Sequence, residues 1–255
     1  MTTTLIITMI EALLLGGILG GVGGLLGIGG GIIAIPVLAW LYGLNQSFAQ
    51  GTALVMIVPN VLIGFWRYRQ RNPFPLRTAL SIGLASMLSA YPAARLAVAL
   101  DASTLRMVFA LFLLWLSGYF AWNSRADSAF AQPKIACWNA RYLPIVGAVG
   151  GLFAGFFSVG SGIVAAPIFV RGFGKRQAVA QGLALALAVP SAVVALATYS
   201  QAQHVDWQLG IPLAIGGMMT VSKGVALAHQ LPERRLKQVF ALMLLMTASL
   251  MIWKG

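Results

Sequence analysis

Residues 16–36 read GGILGGVGGLLGIGGGIIAIP, and residues 147–167 return in altered form as GAVGGLFAGFFSVGSGIVAAP. Glycine at this density weakens a helix by about 1 kcal/mol per residue relative to alanine. Both copies lie in a strongly apolar chain, where non-helical backbone survives inside a membrane only if protein or a water-filled cavity covers it. We therefore interpret the two copies as the walls of a polar site within a membrane.

The composition of the chain supports this interpretation. Of its 255 residues, 59% are hydrophobic and only 9% are charged, and the mean hydropathy is +0.87. These values are typical of a polytopic membrane protein. The net charge of +12 comes from short basic clusters between apolar runs, which argues against nucleic-acid binding. Cys137 is the single cysteine, and no Cys/His cluster has metal-ligand spacing, so neither a metal nor another cofactor is predicted.

The chain contains ten apolar segments, five in each half. In the first half they cover residues 5–26, 30–43, 48–66, 76–98 and 104–122, and in the second half 142–157, 162–171, 178–199, 208–228 and 235–253. We predict an all-α polytopic membrane protein. Its first membrane repeat covers residues 1–122, a polar cytoplasmic linker covers 123–141, and a second membrane repeat covers 142–255.

The two halves align without gaps at a constant offset of 131 residues. The residues Gly20, Gly24, Gly29, Gly31, Pro36, Gln46, Gln50, Gly51 and Pro59 fall on Gly151, Gly155, Gly160, Gly162, Pro167, Gln177, Gln181, Gly182 and Pro190. The same offset aligns residues 108–111 with residues 239–242. One register kept over this length indicates a duplicated unit.

The distribution of basic residues predicts that the two copies are inverted. Arg67, Arg69, Arg71 and Arg77 follow the third segment of the first copy, whereas the equivalent residues of the second copy are uncharged. Lysine and arginine favour cytoplasmic loops, so we place residues 67–77, 123–141, 171–177 and 229–237 on that side. Equivalent loops then lie on opposite faces. Each repeat must therefore cross an odd number of times, with its first two segments forming either two crossings or a hairpin that enters and leaves on one side.

The Gly-rich turns are the predicted binding site. The segment 162–171 spans only about 15 Å, about half of a bilayer core. Short interrupted segments at equivalent places in inverted halves point to a transporter's binding site. If both turns meet near the midplane, the helix starts at Gly31 and Gly162 direct free N–H groups towards a bound anion. The candidate substrate-binding residues are Gly29, Gly30, Gly31, Gln50, Ser158, Gly160, Ser161, Gly162 and Gln181.

Each of these candidates also has a purely structural interpretation. Small residues at fourth positions commonly allow close packing of membrane helices, and buried amides commonly hydrogen-bond between helices. Asn60 and Ser191, each directly after the proline of its helix, are second-tier candidates. Glu11 is a further one: it would carry a coupling proton if it faces the site, or lie at the outer interface if it does not.

The duplicated motifs GIGGGIIAIPVL (27–38) and SVGSGIVAAPIF (158–169), followed by AQGTAL and AQGLAL, resemble those of the sulfite exporter TauE/SafE family. This family is also called the toluene sulfonate uptake permease group. The resemblance covers nearly the whole chain and implies a multi-pass transporter in the bacterial cytoplasmic (inner) membrane, surrounded by lipid. It further implies an anionic substrate such as sulfite, sulfoacetate or a related organosulfonate.

We therefore predict a secondary transporter, and an exporter on the family likeness. Energy would come from the anion's own gradient or from an ion gradient, with a proton or sodium as coupling ion, since no nucleotide-binding motif is present. The alternatives are an anion channel built on the same helix ends, an importer of another organic anion, and a membrane enzyme or assembly factor. The absence of a catalytic constellation argues against an enzyme, and the sequence carries no signal for an oligomeric state.

Overall fold

The chain is all-helical over the residues that the computed structural model describes, which are 2–26, 29–125, 138–159, 162–228, 242–249 and 251. The helices of the first half are α1 (Thr2–Leu26), α2 (Gly31–Tyr42), α3 (Gln46–Arg71), α4 (Leu76–Ala99) and α5 (Ala102–Arg125). The second half has a 3-10 turn (Ala140–Tyr142), α6 (Leu143–Phe157), α7 (Gly162–Arg171), α8 (Gln177–Gln201), α9 (Trp207–Ala228) and α10 (242–249). The predicted all-α class is confirmed.

Seven of the described helices are long and apolar enough to cross a membrane, namely α1, α3, α4, α5, α6, α8 and α9. This confirms a multi-pass membrane protein. The helix α5, which covers the fifth predicted segment, continues to Arg125. Most of the predicted linker, and much of the predicted segment 235–253, lie outside the described residues.

Three helices begin with a side-chain cap on their first turn. The side-chain oxygen of Asn45 accepts from the Phe48 N–H at the start of α3, and that of Asp206 accepts from the Leu209 N–H at the start of α9. Asp101 caps α5 in the same way, and the bond from the Thr104 N–H lowers the pKa of its carboxyl group. Such caps satisfy N–H groups that have no acceptor within the helix, which fixes where these helices begin.

The helices α2 and α7 are too short to cross a bilayer. They have 12 and 10 residues, or about 18 and 15 Å at 1.5 Å per residue, against a hydrocarbon core of about 30 Å. The turn before α2 has left-handed backbone at Gly29 (φ 72°) and Gly30 (φ 86°). A side chain is strained in that conformation, so glycine at these two positions is what allows α1 to turn back into α2.

The equivalent helices α3 and α8 pack against each other in opposite directions. Gln50, near the start of α3, contacts Tyr199, near the end of α8. Gly64, towards the end of α3, faces Leu185, towards the start of α8: a Cβ at Gly64 would lie 3.4 Å from a Leu185 methyl carbon. These two contacts come in opposite order along α3 and α8, so the two helices are antiparallel.

Two further helix pairs pack through glycine, and they use equivalent residues. In the α1/α9 pair the close approaches are Gly16 to Leu213, Gly20 to Gly217 and Gly24 to Val221. In the α6/α4 pair they are Gly147 to Ile82, Gly151 to Ser86 and Gly155 to Ala90. Every member of one set differs from its counterpart by 131 residues. A Cβ at any of these glycines would lie within 2.5 Å of a backbone atom, so the helices approach this closely only because the side chains are absent.

The same interhelical hydrogen bond also occurs twice. The Thr220 hydroxyl donates to the Gly17 carbonyl at 2.6 Å, joining α9 to α1. The Ser89 hydroxyl donates to the Ala148 carbonyl at 2.7 Å, joining α4 to α6. These donors and acceptors are again 131 residues apart. Each half therefore sends its first helix to pack against the fourth helix of the other half.

Candidate functional site

The Gly-rich turns of the two halves come into contact. A Cβ at Gly31, the first residue of α2, would lie 3.1 Å from the carbonyl oxygen of Ser158, which ends α6. It would also lie 2.5 Å from a methyl carbon of Ile57, near the middle of the long helix α3. The turns therefore meet deep within the bundle, and a side chain at position 31 would displace the Ile57 side chain and crowd the Ser158 carbonyl.

A buried polar pair lies beside this contact. The Tyr199 hydroxyl donates to Oε1 of Gln50 at 2.5 Å, and both residues are fully buried. The Ser158 side chain lies close to the Tyr199 hydroxyl. Gln46 is one helical turn before Gln50 on the same face of α3 and is 3% exposed. We refer to Gln46, Gln50, Ser158 and Tyr199 as the polar cluster.

Several polar atoms of this region have no hydrogen-bond partner. Among the described residues the buried side-chain atoms without one are Nε2 and Oε1 of Gln46, Nε2 of Gln50, Nδ2 and Oδ1 of Asn60, Oγ of Ser158 and Nδ1 of His204. A buried polar group left unsatisfied costs about 1–3 kcal/mol. Three residues of the polar cluster carry such atoms, which is the pattern expected of a site that a polar ligand or water completes.

The chemistry that the cluster offers is donation by neutral groups. Nε2 of Gln50 and the Ser158 hydroxyl have no hydrogen-bond partner, and the positive end of the α2 dipole begins near them at Gly31. All buried polar residues in the described part of the chain are uncharged. Gln50 and Ser158 are 0% and 1% exposed, so the cluster is occluded in this conformation.

The second predicted glutamine lies at the other end of the α3/α8 pair. Gln181 precedes Tyr199 by 18 residues on α8, which is about 27 Å along the helix axis. Because Tyr199 contacts Gln50, the two glutamines are far apart. Gln181 is half-buried there, on the helix end opposite the polar cluster. The structure therefore does not bring Gln50 and Gln181 to one point.

The remaining predicted residues divide into three groups. Gly29 and Gly30 shape the turn before α2, and Gly162 begins α7 and is buried. Gly160 and Ser161 lie outside the described residues. Glu11 is exposed on the surface of α1, away from the polar cluster.

The two second-tier polar residues, Asn60 and Ser191, have different surroundings although they are equivalent in the repeat. Both are fully buried. The Ser191 hydroxyl donates to the Leu187 carbonyl of its own helix at 2.8 Å. The amide of Asn60 has no partner and faces Gly217, where a Cβ would lie 2.7 Å from its Nδ2. Asn60 is therefore available to a ligand, whereas Ser191 already has a carbonyl acceptor.

Sequence reasoning missed the two tyrosines of the α3/α8 pair. Tyr199 forms part of the polar cluster, and its equivalent, Tyr68, is 5% exposed near the end of α3. The signal was present, because Tyr68 and Tyr199 are themselves 131 residues apart. What the sequence did not contain was the antiparallel pairing, which sets each tyrosine beside the start of the other repeat's helix.

The chain was compared with known families and proteins. The model of the family described as sulfite exporter TauE/SafE matches residues 12–251. A "Probable membrane transporter protein" of Xylella fastidiosa is 26% identical over 246 residues, covering 94% of this chain and 93% of the relative. A similarly named protein of Methanocaldococcus jannaschii is 29% identical over 164 residues, covering 61% and 59%. One from Bacillus subtilis is 22% identical over 267 residues, covering 94% and 96%. No solved structure matches the chain.

Proposed function

Since the chain belongs to the sulfite exporter TauE/SafE family, and its relatives are named as membrane transporters, we propose that it is a secondary transporter of a small sulfur-containing anion. The substrate is sulfite, sulfoacetate or a related organosulfonate. The transporter works in the bacterial cytoplasmic membrane in the direction of export. The family description also supports the sulfur-containing anion and the export direction, and the uncharged donors of the polar cluster support an anionic substrate.

The observation that carries the proposal is the contact between Gly31 and Ser158 beside an unsatisfied amide. The start of α2, the Ser158 hydroxyl and Nε2 of Gln50 all offer hydrogen-bond donors in one buried region. An oxyanion presents several acceptor oxygens and matches donors of this kind. Nε2 of Gln50 and Oγ of Ser158 lack a partner in the structure, so a bound anion would remove their desolvation cost.

The absence of charge around these donors suits transport better than permanent binding. No buried polar residue in the described ranges carries a charge. A lysine or arginine buried against the anion would hold it by a strong ion pair. Neutral donors and a helix dipole favour the anion by a smaller amount, which allows release on the opposite side.

Alternating access requires two arrangements of packed elements around the site. The antiparallel contact of α3 with α8, and the recurrence of equivalent contacts in the α1/α9 and α6/α4 pairs, support inverted repeats. The short helices α2 and α7 support hairpins that enter and leave on one side. In this proposal the repeats rock about the α3/α8 pair and expose the polar cluster to one face at a time.

The description of the family as sulfite exporters supports export, and the basic loops would supply anions to the cytoplasmic entrance. The loops assigned to the cytoplasm carry most of the arginines and lysines, and a basic face raises the local concentration of anions. Anions would therefore collect on the cytoplasmic side. A proton or sodium gradient, or the anion's own gradient, would drive the cycle.

The test is counterflow of radiolabelled sulfite in proteoliposomes, with thiosulfate, sulfate, sulfoacetate and taurine as competitors. We expect saturable exchange that Gln50→Ala weakens, because this change removes one of the free donors. The matched control is Gln70→Ala, which removes an amide from an exposed position on the same helix. The order of the competitors identifies the preferred anion.

Two outcomes would overturn parts of the proposal. Single-channel currents without counterflow would replace the carrier by an anion channel. No exchange of any of these anions, by protein that remains folded in the vesicles, would remove the sulfur-anion assignment and leave the transporter family unchanged.

A further inference from the structure

A cavity of about 390 Å³ lies between α5 and α7, separate from the polar cluster. Its wall includes Trp115 and Tyr119 of α5, Pro167, Ile168 and Arg171 of α7, and Trp138. The wall is almost wholly apolar. The residues from α7 lie along one face of that helix, over its last two turns. The cavity therefore runs along most of α7, from Val164 to Arg171.

The charge and the apolar surface of this cavity are separated. Arg171 is the basic residue in the last turn of α7 and is exposed, so it sits at one end of the cavity. Its guanidinium lies 5.9 Å from the centre of the Tyr119 ring. Ile168 and Pro167 precede it by about one helical turn and contribute only hydrocarbon. A ligand with an anionic head and an apolar body has the matching arrangement.

The aromatic residues indicate where this end of the cavity lies in the membrane. Trp138 and Tyr119 flank Arg171, and tryptophan and tyrosine concentrate at the level of the lipid headgroups. The backbone N–H of Trp138 donates to the Gly172 carbonyl at 3.1 Å, which fixes the backbone of Trp138 next to the end of α7. The following residues Lys175 and Arg176 are exposed and basic, so the positive-inside rule assigns this end to the cytoplasmic leaflet.

We propose that the cavity binds one anionic phospholipid of the cytoplasmic leaflet. The phosphate lies at Arg171 between the two aromatic rings, and an acyl chain lies against Trp115 and Ile168. Basic pockets between transmembrane helices on this side bind anionic headgroups. In the first repeat the residue equivalent to Arg171 is the uncharged Trp40, so this basic residue belongs to the second repeat. This inference does not depend on which anion is transported.

Bound lipid would also stabilise the packing of α7. The short helix α7 buries Ala165, Ala166 and Phe169 in the bundle, and the face that carries Ile168 borders the cavity. An acyl chain in the cavity would cover this face. The helix α7 begins at Gly162, directly after the Gly-rich turn. Bound lipid would therefore stabilise the position of this turn next to the polar cluster.

The test is native mass spectrometry of the full chain in neutral detergent with added phosphatidylglycerol or phosphatidylcholine of equal chain length. We expect one retained phosphatidylglycerol, preferred about fivefold over phosphatidylcholine, which is the effect of one basic residue near a lipid surface. Arg171→Gln should abolish the preference. Ile168→Trp should fill the cavity and reduce retention of both lipids. Arg176→Gln is the matched control, since it removes the same charge from the same loop but not from the cavity wall.

Each alternative occupant gives a different result. Equal loss of the preference in Arg171→Gln and Arg176→Gln would overturn the site, because it would show diffuse attraction to the loop. Displacement of the lipid by soluble glycerol phosphate would replace the lipid site by an anion site. Normal lipid retention in Ile168→Trp, with an unchanged unfolding temperature, would show that the lipid does not occupy the cavity. A dimer mass without bound lipid would also overturn the proposal.

Discussion

The two repeats share equivalent close contacts between helices, but their equivalent buried polar side chains form different hydrogen bonds. The Leu187 carbonyl of α8 accepts from two hydroxyls, that of Ser191 on its own helix and that of Ser86 on α4 of the first repeat, at 2.8 and 2.9 Å. The equivalent residues of the other set are Asn60 and Gly217, and the Asn60 amide has no partner. The close helix contacts are therefore equivalent in the two halves, whereas the polar side chains at equivalent positions differ in their hydrogen bonds. The buried polar side chains left without partners lie mostly on α3 of the first repeat, and the second repeat contributes Ser158 and His204.

The turns show the same asymmetry. Ser158, which ends α6 with a left-handed backbone (φ 53°), takes the place of Gly27 in the first repeat. It adds a free hydroxyl to the meeting point of the two turns. The first repeat supplies Gln50 and the start of α2 to that same region. The two copies thus contribute different parts to one region, and the following changes test how far their equivalence extends.

The largest effect is expected at the contact between the turns. A side chain at Gly31 would collide with Ile57 and with the Ser158 backbone, so Gly31→Leu must push the turns apart. A displacement of about 1 Å in a binding site can cost 100-fold in rate, and we expect sulfite counterflow to fall by at least that factor. Gly118→Leu is the control, because a Cβ there meets nothing within 4 Å. Normal counterflow by Gly31→Leu, at equal amounts in the membrane, would refute the assigned site.

The next effect concerns the glycines that pack the helices, and here the two repeats should behave alike. A Cβ at Gly20 would lie 2.4 Å from Gly217, and one at Gly151 would lie 2.2 Å from the Ser86 carbonyl oxygen. We expect Gly20→Val and Gly151→Val to lower the free energy of unfolding by similar amounts, at least about 1–3 kcal/mol each. Thermal unfolding in detergent measures this. A large loss in only one variant would show that the packing of the two halves is not equivalent.

A smaller effect is expected at the tyrosines, and it should differ between the two. Tyr199→Phe leaves Oε1 of Gln50 buried without its donor, at a cost of about 1–3 kcal/mol. Because the polar cluster opens to each face in turn, we expect the KM for sulfite to rise about tenfold on both sides of the membrane. Tyr68→Phe alters the opposite end of the α3/α8 pair and should leave KM near the wild-type value. Exchange in vesicles of defined orientation measures both sides. An effect of Tyr199→Phe on one side only would place the polar cluster on an entry route and not at the central site.

The smallest effect is expected at the second-tier pair. Asn60→Leu replaces an unpartnered buried amide by an apolar group of similar shape, so the free energy of unfolding should stay the same or rise slightly. We expect counterflow to fall a few-fold if the amide faces the anion path. Ser191→Ala removes a hydroxyl that bonds only its own helix, and it should change counterflow and stability little. Wild-type counterflow in Asn60→Leu would exclude Asn60 from the path.

Much of the architecture was predictable because it is written in local chemistry. The predicted starts at Gly162 and residue 76 match those of α7 and α4, and the short length of α7 was predicted correctly. Apolar length, glycine and proline act within a few residues of their own position, so sequence reasoning reaches them. Gln50 was selected on different grounds, as one of two glutamines at identical positions in the repeat, each followed by a glycine, and its role stays a prediction. Its partner Tyr199 was missed, because the contact joins residues 149 positions apart.

The sequence by itself determined a duplicated, all-helical membrane protein with glycine-interrupted turns, since hydropathy and repetition need no partner to be recognised. Only the tertiary structure decided which polar residues share a region. The antiparallel pairing of α3 with α8 separates Gln50 from Gln181 by about 27 Å along the helix and brings Tyr199 and Ser158 to Gln50 instead. An offset in sequence fixes which residues are equivalent, but the direction in which two helices pack fixes which of them meet.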